Sequence, residues 1–203
     1  MSALAIFKRY FIHLQRILSP GQADQTITKS RFVAAAEYCA DERAVMLMLR
    51  RLASQHSHAH HLAFAYKIRS EEGILQRFHD AGEPSGTAGK PIMQHLEGRD
   101  LINACVAVVR YYGGINLGTG GLARAYGGTA KLAIDAARLG PFVEMREIRL
   151  VLDYAKLDGF TRDLSRMNGE LLDKAFGERV SVVASVPADE ATAMLQRYAE
   201  PRR

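Results

Sequence analysis

The stretch from Ile102 to Tyr112 is almost continuously apolar and includes Val106, Val108 and Val109. A short run of this kind suits a central strand buried on both faces, which demands a covering layer on either side. After it, Leu122 to Leu139 carries the longest helical pattern in the chain, ended by Gly140-Pro141, which makes the best domain boundary.

The flanking segments fill in a mixed pattern. Thr26 to Glu37 reads as a strand, Ala44 to Ser54 as a helix with Val45, Met48, Leu49 and Leu52 on one face, and His61 to Ile68 as a second strand before a polar turn at Ser70 to Gly73. Gly86 to Leu96 begins as a loop and ends as a short helix. Beyond the boundary come a strand (Glu147 to Asp153), a helix (Leu157 to Met167), two strands (Gly169 to Phe176, Arg179 to Val186) and a helix (Ala188 to Tyr198). This β-α-β-β-α order is the split-βαβ, ferredoxin-like pattern without its last strand. At the other end, Leu4, Phe7, Phe11, Leu14 and Leu18 fall at helical spacing beside Lys8, Arg9 and Arg16, so residues 1–20 are expected to form a basic amphipathic leader. Residues 21–140 and 141–203 are expected to be two domains.

The apolar strand lies inside a glycine-dense segment. Gly82 to Gly128 holds 11 of the 17 glycines of the chain, where an even spread would give about four; because glycine loses the most backbone entropy on folding, such density needs a backbone reason. Two loops each lead into a helix: Gly82 to Pro91, and Gly113 to Leu122 directly after the strand. A helix start presents free N–H groups and the positive end of its dipole, so both loops are candidate cradles for an anion. Gly118, Gly120 and Ala123 also fit the dinucleotide fingerprint, but the acid expected about 20 residues further on is missing, and Arg138 stands there. No lysine occupies the place a Walker loop requires.

Charge and composition narrow the ligand. The net charge is +5, with 17 Lys+Arg against 12 Asp+Glu before Arg146 and 10 against 10 from Arg146 onward. Attraction to phosphates therefore belongs to the first part, although Lys8, Arg9 and Arg16 supply three of those charges. With 48% hydrophobic and 24% charged residues the chain has ordinary globular composition, and no apolar run reaches the roughly 20 residues of a spanning helix. Cys39 and Cys105 are the only cysteines, which suits reduced thiols and a cytoplasmic location.

Within the glycine-rich segment, Arg110 ends the buried strand, and Arg124 lies in the first turn of the next helix, where it opposes the dipole unless an anion or acid faces it. Lys90, Arg110, Tyr111, Gly113, Gly114, Gly118, Gly120, Gly121, Arg124 and Tyr126 are the candidates for binding a phosphate or nucleic acid. Tyr111, Tyr112 and Tyr126 are candidates for stacking bases, with core packing the competing use. Internal salt bridges from Arg110 or Arg124 to Glu83 or Asp80 are the competing use of the arginines. His61, Asp80, Glu83, Ser30 and Arg31 form a possible polar site, in which Asp80 and Glu83 have the chemistry of a general acid and base, or simply of a turn. His56, His58, His60 and His61 lack the Cys or acid that would complete a tetrahedral metal site, so no metal is expected.

These residues also resemble a known family. Lys29-Ser30-Arg31-Phe32, Gly82-Glu83-Pro84, Gly86-Thr87-Ala88-Gly89-Lys90-Pro91, Arg110-Tyr111-Tyr112-Gly113-Gly114, Leu117-Gly118-Thr119-Gly120-Gly121-Leu122 and Ala125-Tyr126 run in order like those of the YigZ/IMPACT family. The resemblance implies an Impact N-terminal domain of ribosomal protein S5 domain 2-like α/β fold, followed by a ferredoxin-like domain similar to the last domain of elongation factor G. It implies an association with translation and its control, with RNA or a ribosome-associated factor as partner, or a protein as in the eukaryotic relatives. It implies no established reaction, no catalytic residue and no cofactor. An enzyme acting on a phosphorylated small molecule or nucleotide is the alternative, because the S5-like fold also hosts kinases. Three departures stand out: His79-Asp80-Ala81 where the family has Ser-Asp-Asp, Asn116 in place of an aliphatic residue, and an end at Arg203 that leaves an expected open sheet edge.

Overall fold

In the computed structural model, which describes residues 14–70 and 72–199, the apolar run becomes strand β6 (Ala104–Tyr111) at the middle of a five-stranded sheet. The chain divides into two units, one ending at Phe142 and one beginning at Val143. The first contains β1 (Gln15–Ser19), β2 (Gly21–Ile27), β3 (Ser30–Tyr38), α1 (Glu42–Gln55), β4 (His61–Ser70), β5 (Gly73–His79), α2 (Gly89–Gly98), β6, α3 (Gly118–Ala136) and β7 (Arg138–Pro141). Its large sheet runs β2-β3-β6-β4-β5 and is antiparallel throughout.

Alternation along β6 splits the core in two. Val106 and Val108 pack with Phe32, Ile92, Leu122 and Tyr126 beneath α2 and α3, whereas Cys105 and Ala107 pack with Val45, Met48, Leu49 and Leu52 of α1. Ala104 to Val108 have no exposed surface, and each valine so buried contributes about 1.5–3 kcal/mol. Helix α1 starts where Asp41 accepts a hydrogen bond from the Ala44 amide at 2.7 Å, the usual way of satisfying an orphan N–H.

Several expected elements are corrected. Residues 1–13 of the leader lie outside the described residues, but Gln15–Ser19 is a strand, not the end of a helix. Its buried residue is Ile17, off the helical stripe, and it pairs with β7. Helix α3 therefore stops at Ala136, and Gly140-Pro141 falls within β7. The strand expected over Thr26 to Glu37 is a hairpin, with Ile27 paired to Ser30 around Thr28 and Lys29 at φ 46° and 63°. Two positive φ values match the strand twist, but Asn and Gly usually mark them, so Thr-Lys carries no signal. Strand β5, paired with β4, is also additional to the expected set.

The second unit comprises β8 (Met145–Leu152), α4 (Tyr154–Arg166), β9 (Glu170–Phe176), β10 (Val180–Pro187) and α5 (Ala191–Tyr198). Strand β10 lies between β8 and β9 and is antiparallel to both, which is the split-βαβ arrangement. Ile148, Leu150, Leu152, Phe160, Leu164 and Val182 form its core. Among the described residues β8 and β9 each have one strand neighbour. The fold class is the mixed α/β one expected, and no helix among the described residues is long and apolar enough to cross a membrane.

Candidate functional site

The first glycine loop is closed by the chain itself. Asp80 follows β5 and turns back over the loop: its Oδ1 accepts the amides of Ala88 (3.0 Å) and Gly89 (2.8 Å), and its Oδ2 that of Gly86 (2.9 Å). Burial opposes ionisation of Asp80, and the Gly86, Gly89 and Ala88 amides outweigh it, holding the carboxyl below its ordinary range. The start of α2 thus holds an anion already, and it is a side chain of this protein. A Cβ on Gly89 would sit 2.7 Å from the His79 nitrogen, so only glycine lets α2 approach β5 this closely. Lys90 is exposed at the start of the helix.

Glu83 ties this loop to β6 and α3. Arg110 Nη1 donates to Glu83 Oε1 at 2.7 Å, and the Tyr126 hydroxyl donates to the same oxygen at 2.7 Å. Both partners of the ion pair are buried, at 5% and 4% side-chain exposure. Arg110 Nη2 also donates to Ser30 Oγ at 3.2 Å, and Arg110 Nε has no hydrogen-bond partner among the described residues. Burial and the bond to Glu83 push the Tyr126 hydroxyl far up, so it stays a donor at all ordinary pH values. His61 borders the cluster: Nδ1 is 2.8 Å from the Ala81 carbonyl, and Nε2 is 3.7 Å from Glu83 Oε1. A carbonyl only accepts, so the proton of a neutral His61 belongs on Nδ1.

The second glycine loop differs. Leu117, the residue before the first turn of α3, makes no side-chain capping hydrogen bond, and Gly118, Thr119 and Gly120 are exposed. The Arg124 guanidinium folds back over this first turn, with Nη1 3.4 Å from where a Cβ on Gly120 would lie. Lys29, also exposed, faces the loop from the hairpin, and its carbonyl would be 2.0 Å from a Cβ on Gly113. Ser30 Oγ accepts the Gly113 amide at 3.2 Å. The loop is therefore fixed at its root, and it presents helix N–H groups beside the Arg124 guanidinium.

Register separates residues that are consecutive in sequence. Arg110 opposes Phe32 and His61 on the α2/α3 side of the sheet, so Tyr111 points to the α1 side. There its hydroxyl lies 2.8 Å from His56 Nδ1, beneath Arg31, whose guanidinium pairs with Asp24 at 2.6 Å. Ser30, His61, Glu83, Arg110, Gly113 and Tyr126 are thus brought together; Arg31 and Tyr111 are not. In the sequence Tyr112 is only one of three candidate tyrosines. It is 39% exposed at the mouth of the second loop, its amide donating to His60 Nδ1 at 3.2 Å. Parity from the buried Arg110 is the signal that points to it.

The Impact N-terminal domain model matches residues 28–134. This chain belongs to the IMPACT family. The match opens in the β2–β3 hairpin and ends in α3, so it encloses the Glu83 cluster and both glycine loops. The family member YvyE of Bacillus subtilis (strain 168) is 32% identical over 180 residues, which span 89% of this chain and 82% of that protein. The family member YigZ of Escherichia coli (strain K12) is 30% identical over 183 residues, 90% of each chain. A crystal structure described as that of a hypothetical protein superposes with a TM-score of 0.68 at 27% identity, covering 94% of this chain and 98% of that one. That likeness extends through both units of the fold.

Proposed function

We propose that this IMPACT family protein is a translation-associated regulator that binds RNA through the second glycine loop and the first turn of α3. The observation that carries the reading is Arg124, which lies over a helix start that its own N-cap residue, Leu117, leaves uncapped, and which has no acidic partner among the described residues. A cation there is unfavourable alone and favourable once a phosphate joins it. The association with translation comes from the family resemblance, and the first loop, filled by Asp80, takes no part. The titratable groups best suited to catalysis, Asp80 and Glu83, are engaged in closing the first loop and tying it to β6 and α3, which favours binding over chemistry.

Fluorescence anisotropy of a labelled RNA with the full chain tests this. Arg124→Glu is expected to weaken binding by about tenfold and to flatten its dependence on salt by about one phosphate contact. Unchanged affinity in Arg124→Glu would overturn the site. A loop that instead takes inorganic phosphate or a nucleotide tightly, and RNA not at all, would favour an enzyme acting on a phosphorylated small molecule.

A further inference from the structure

Resting on that RNA reading, we infer that Tyr112 is a stacking platform for an unpaired nucleobase, so that the second glycine loop takes single-stranded RNA in preference to a duplex. Of the three tyrosines near the loop, Tyr126 is fully buried and Tyr111 is held to His56 on the other side of the sheet. Only Tyr112 offers its ring to solvent, with Ile115 exposed beside it in the same loop.

The ring is held before any ligand arrives. Its hydroxyl donates to Asn116 Oδ1 at 3.1 Å, the His60 ring meets it edge-on at 6.4 Å, and the Arg110 guanidinium lies 5.2 Å from its centroid. Arg110 is itself fixed by Glu83 and Ser30, so the backing is rigid, and its Nε is left without another partner. A rigid ring loses little freedom when a base stacks on it. The departure at Asn116 acquires a use here, since an aliphatic residue has no oxygen to hold the tyrosine hydroxyl. Charge favours the single strand as well. Three of the five net positive charges lie in residues 8–16, so phosphate attraction alone is modest, whereas stacking adds affinity that only a splayed base can collect.

The experiment uses the full chain, a fluorescein-labelled single-stranded RNA of about 12 nucleotides, within the usual site size, and the same strand annealed to its complement. Tyr112→Ala is expected to weaken single-strand binding about tenfold or more and to change duplex binding by less than about twofold, while Tyr112→Phe, which keeps the ring and loses only the bond to Asn116, is expected to weaken single-strand binding by no more than about threefold. Because the chain contains no tryptophan, Tyr112→Trp adds a lone indole whose fluorescence falls when a base stacks on it, giving a readout on a variant that retains the ring. An unchanged single-strand affinity in Tyr112→Ala, or an equal loss for both RNAs, overturns the inference. If Arg124→Glu weakens binding while Tyr112→Ala does not, the RNA reading stands and the stacking role falls; if neither RNA binds the unmodified protein, both fall.

Discussion

Arg110 and Glu83 form a buried ion pair of 2.7 Å that joins the end of β6 to the first glycine loop. Two charges withdrawn from water are stable only as a pair, so removing one leaves the other uncompensated. Glu83→Ala, which also strands the Tyr126 hydroxyl, is expected to cost about 3–5 kcal/mol in urea unfolding, and Arg110→Ala a similar amount. The double substitution Glu83→Ala with Arg110→Ala is expected to cost clearly less than the sum of the single ones. A single-substitution cost below about 1 kcal/mol would show the pair to be dispensable. Loss of RNA binding in Arg110→Ala is therefore no measure of phosphate contact, whereas Arg124 is exposed and reports on it.

Asp80 makes the fold sensitive to acid in a defined direction. Its folded pKa lies below the unfolded value, so its contribution is complete above the unfolded pKa and fades as pH falls through the folded one. Stability measured by urea titration is expected to decline below about pH 4 and to do so less steeply in Asp80→Asn. At neutral pH Asp80→Ala, which frees the amides of Gly86, Ala88 and Gly89, is expected to lose about 1–3 kcal/mol. An identical acid slope in Asp80→Asn would refute this role.

Two glycines should respond oppositely to alanine. Gly113→Ala places a methyl group 2.0 Å from the Lys29 carbonyl, so the loop or the hairpin must move, with an expected cost of at least about 2 kcal/mol. Gly128, inside α3, has nothing within 4 Å of the new methyl group, and Gly128→Ala is expected to raise stability by about 0.5–1 kcal/mol. Thermal unfolding followed by circular dichroism distinguishes the two, and a shift of the same sign in both would contradict the packing described.

Ala81 stands at φ +53°, a conformation that costs a residue with a Cβ about 1 kcal/mol or more. Ala81→Gly and Ala81→Asn are both expected to raise the Tm by a few degrees, since asparagine tolerates this region by bonding locally. Equal or lower Tm values in both would mean that packing of the Ala81 methyl group against the core outweighs the backbone strain.

The parts of the fold that follow from burial were legible in the sequence: the double-sided strand β6, the apolar face of α1 and the β-α-β-β-α order of the second unit. The parts that follow from pairing were not. Thr28 and Lys29 give no turn signal, so two strands read as one, and Gln15–Ser19 buries only Ile17, too little to outweigh a helical spacing that continues from the preceding residues. At the site, motif order singles out both loops but cannot say which is already filled. That depended on Asp80 reaching forward to amides six to nine residues away. Nor could adjacency reveal that Arg110 and Tyr111 face opposite layers, which a period of two decides once the strand is placed.

The hairpin at Thr28 and Lys29 has a final consequence. Its two residues hold backbone angles unusual for their kind, and the carbonyl of one of them is the surface on which Gly113 rests. Reshaping the second loop means unwinding that hairpin. A visitor to the loop must therefore supply the adjustment itself, and discrimination between visitors falls to how well each can bend to a mould cast in advance.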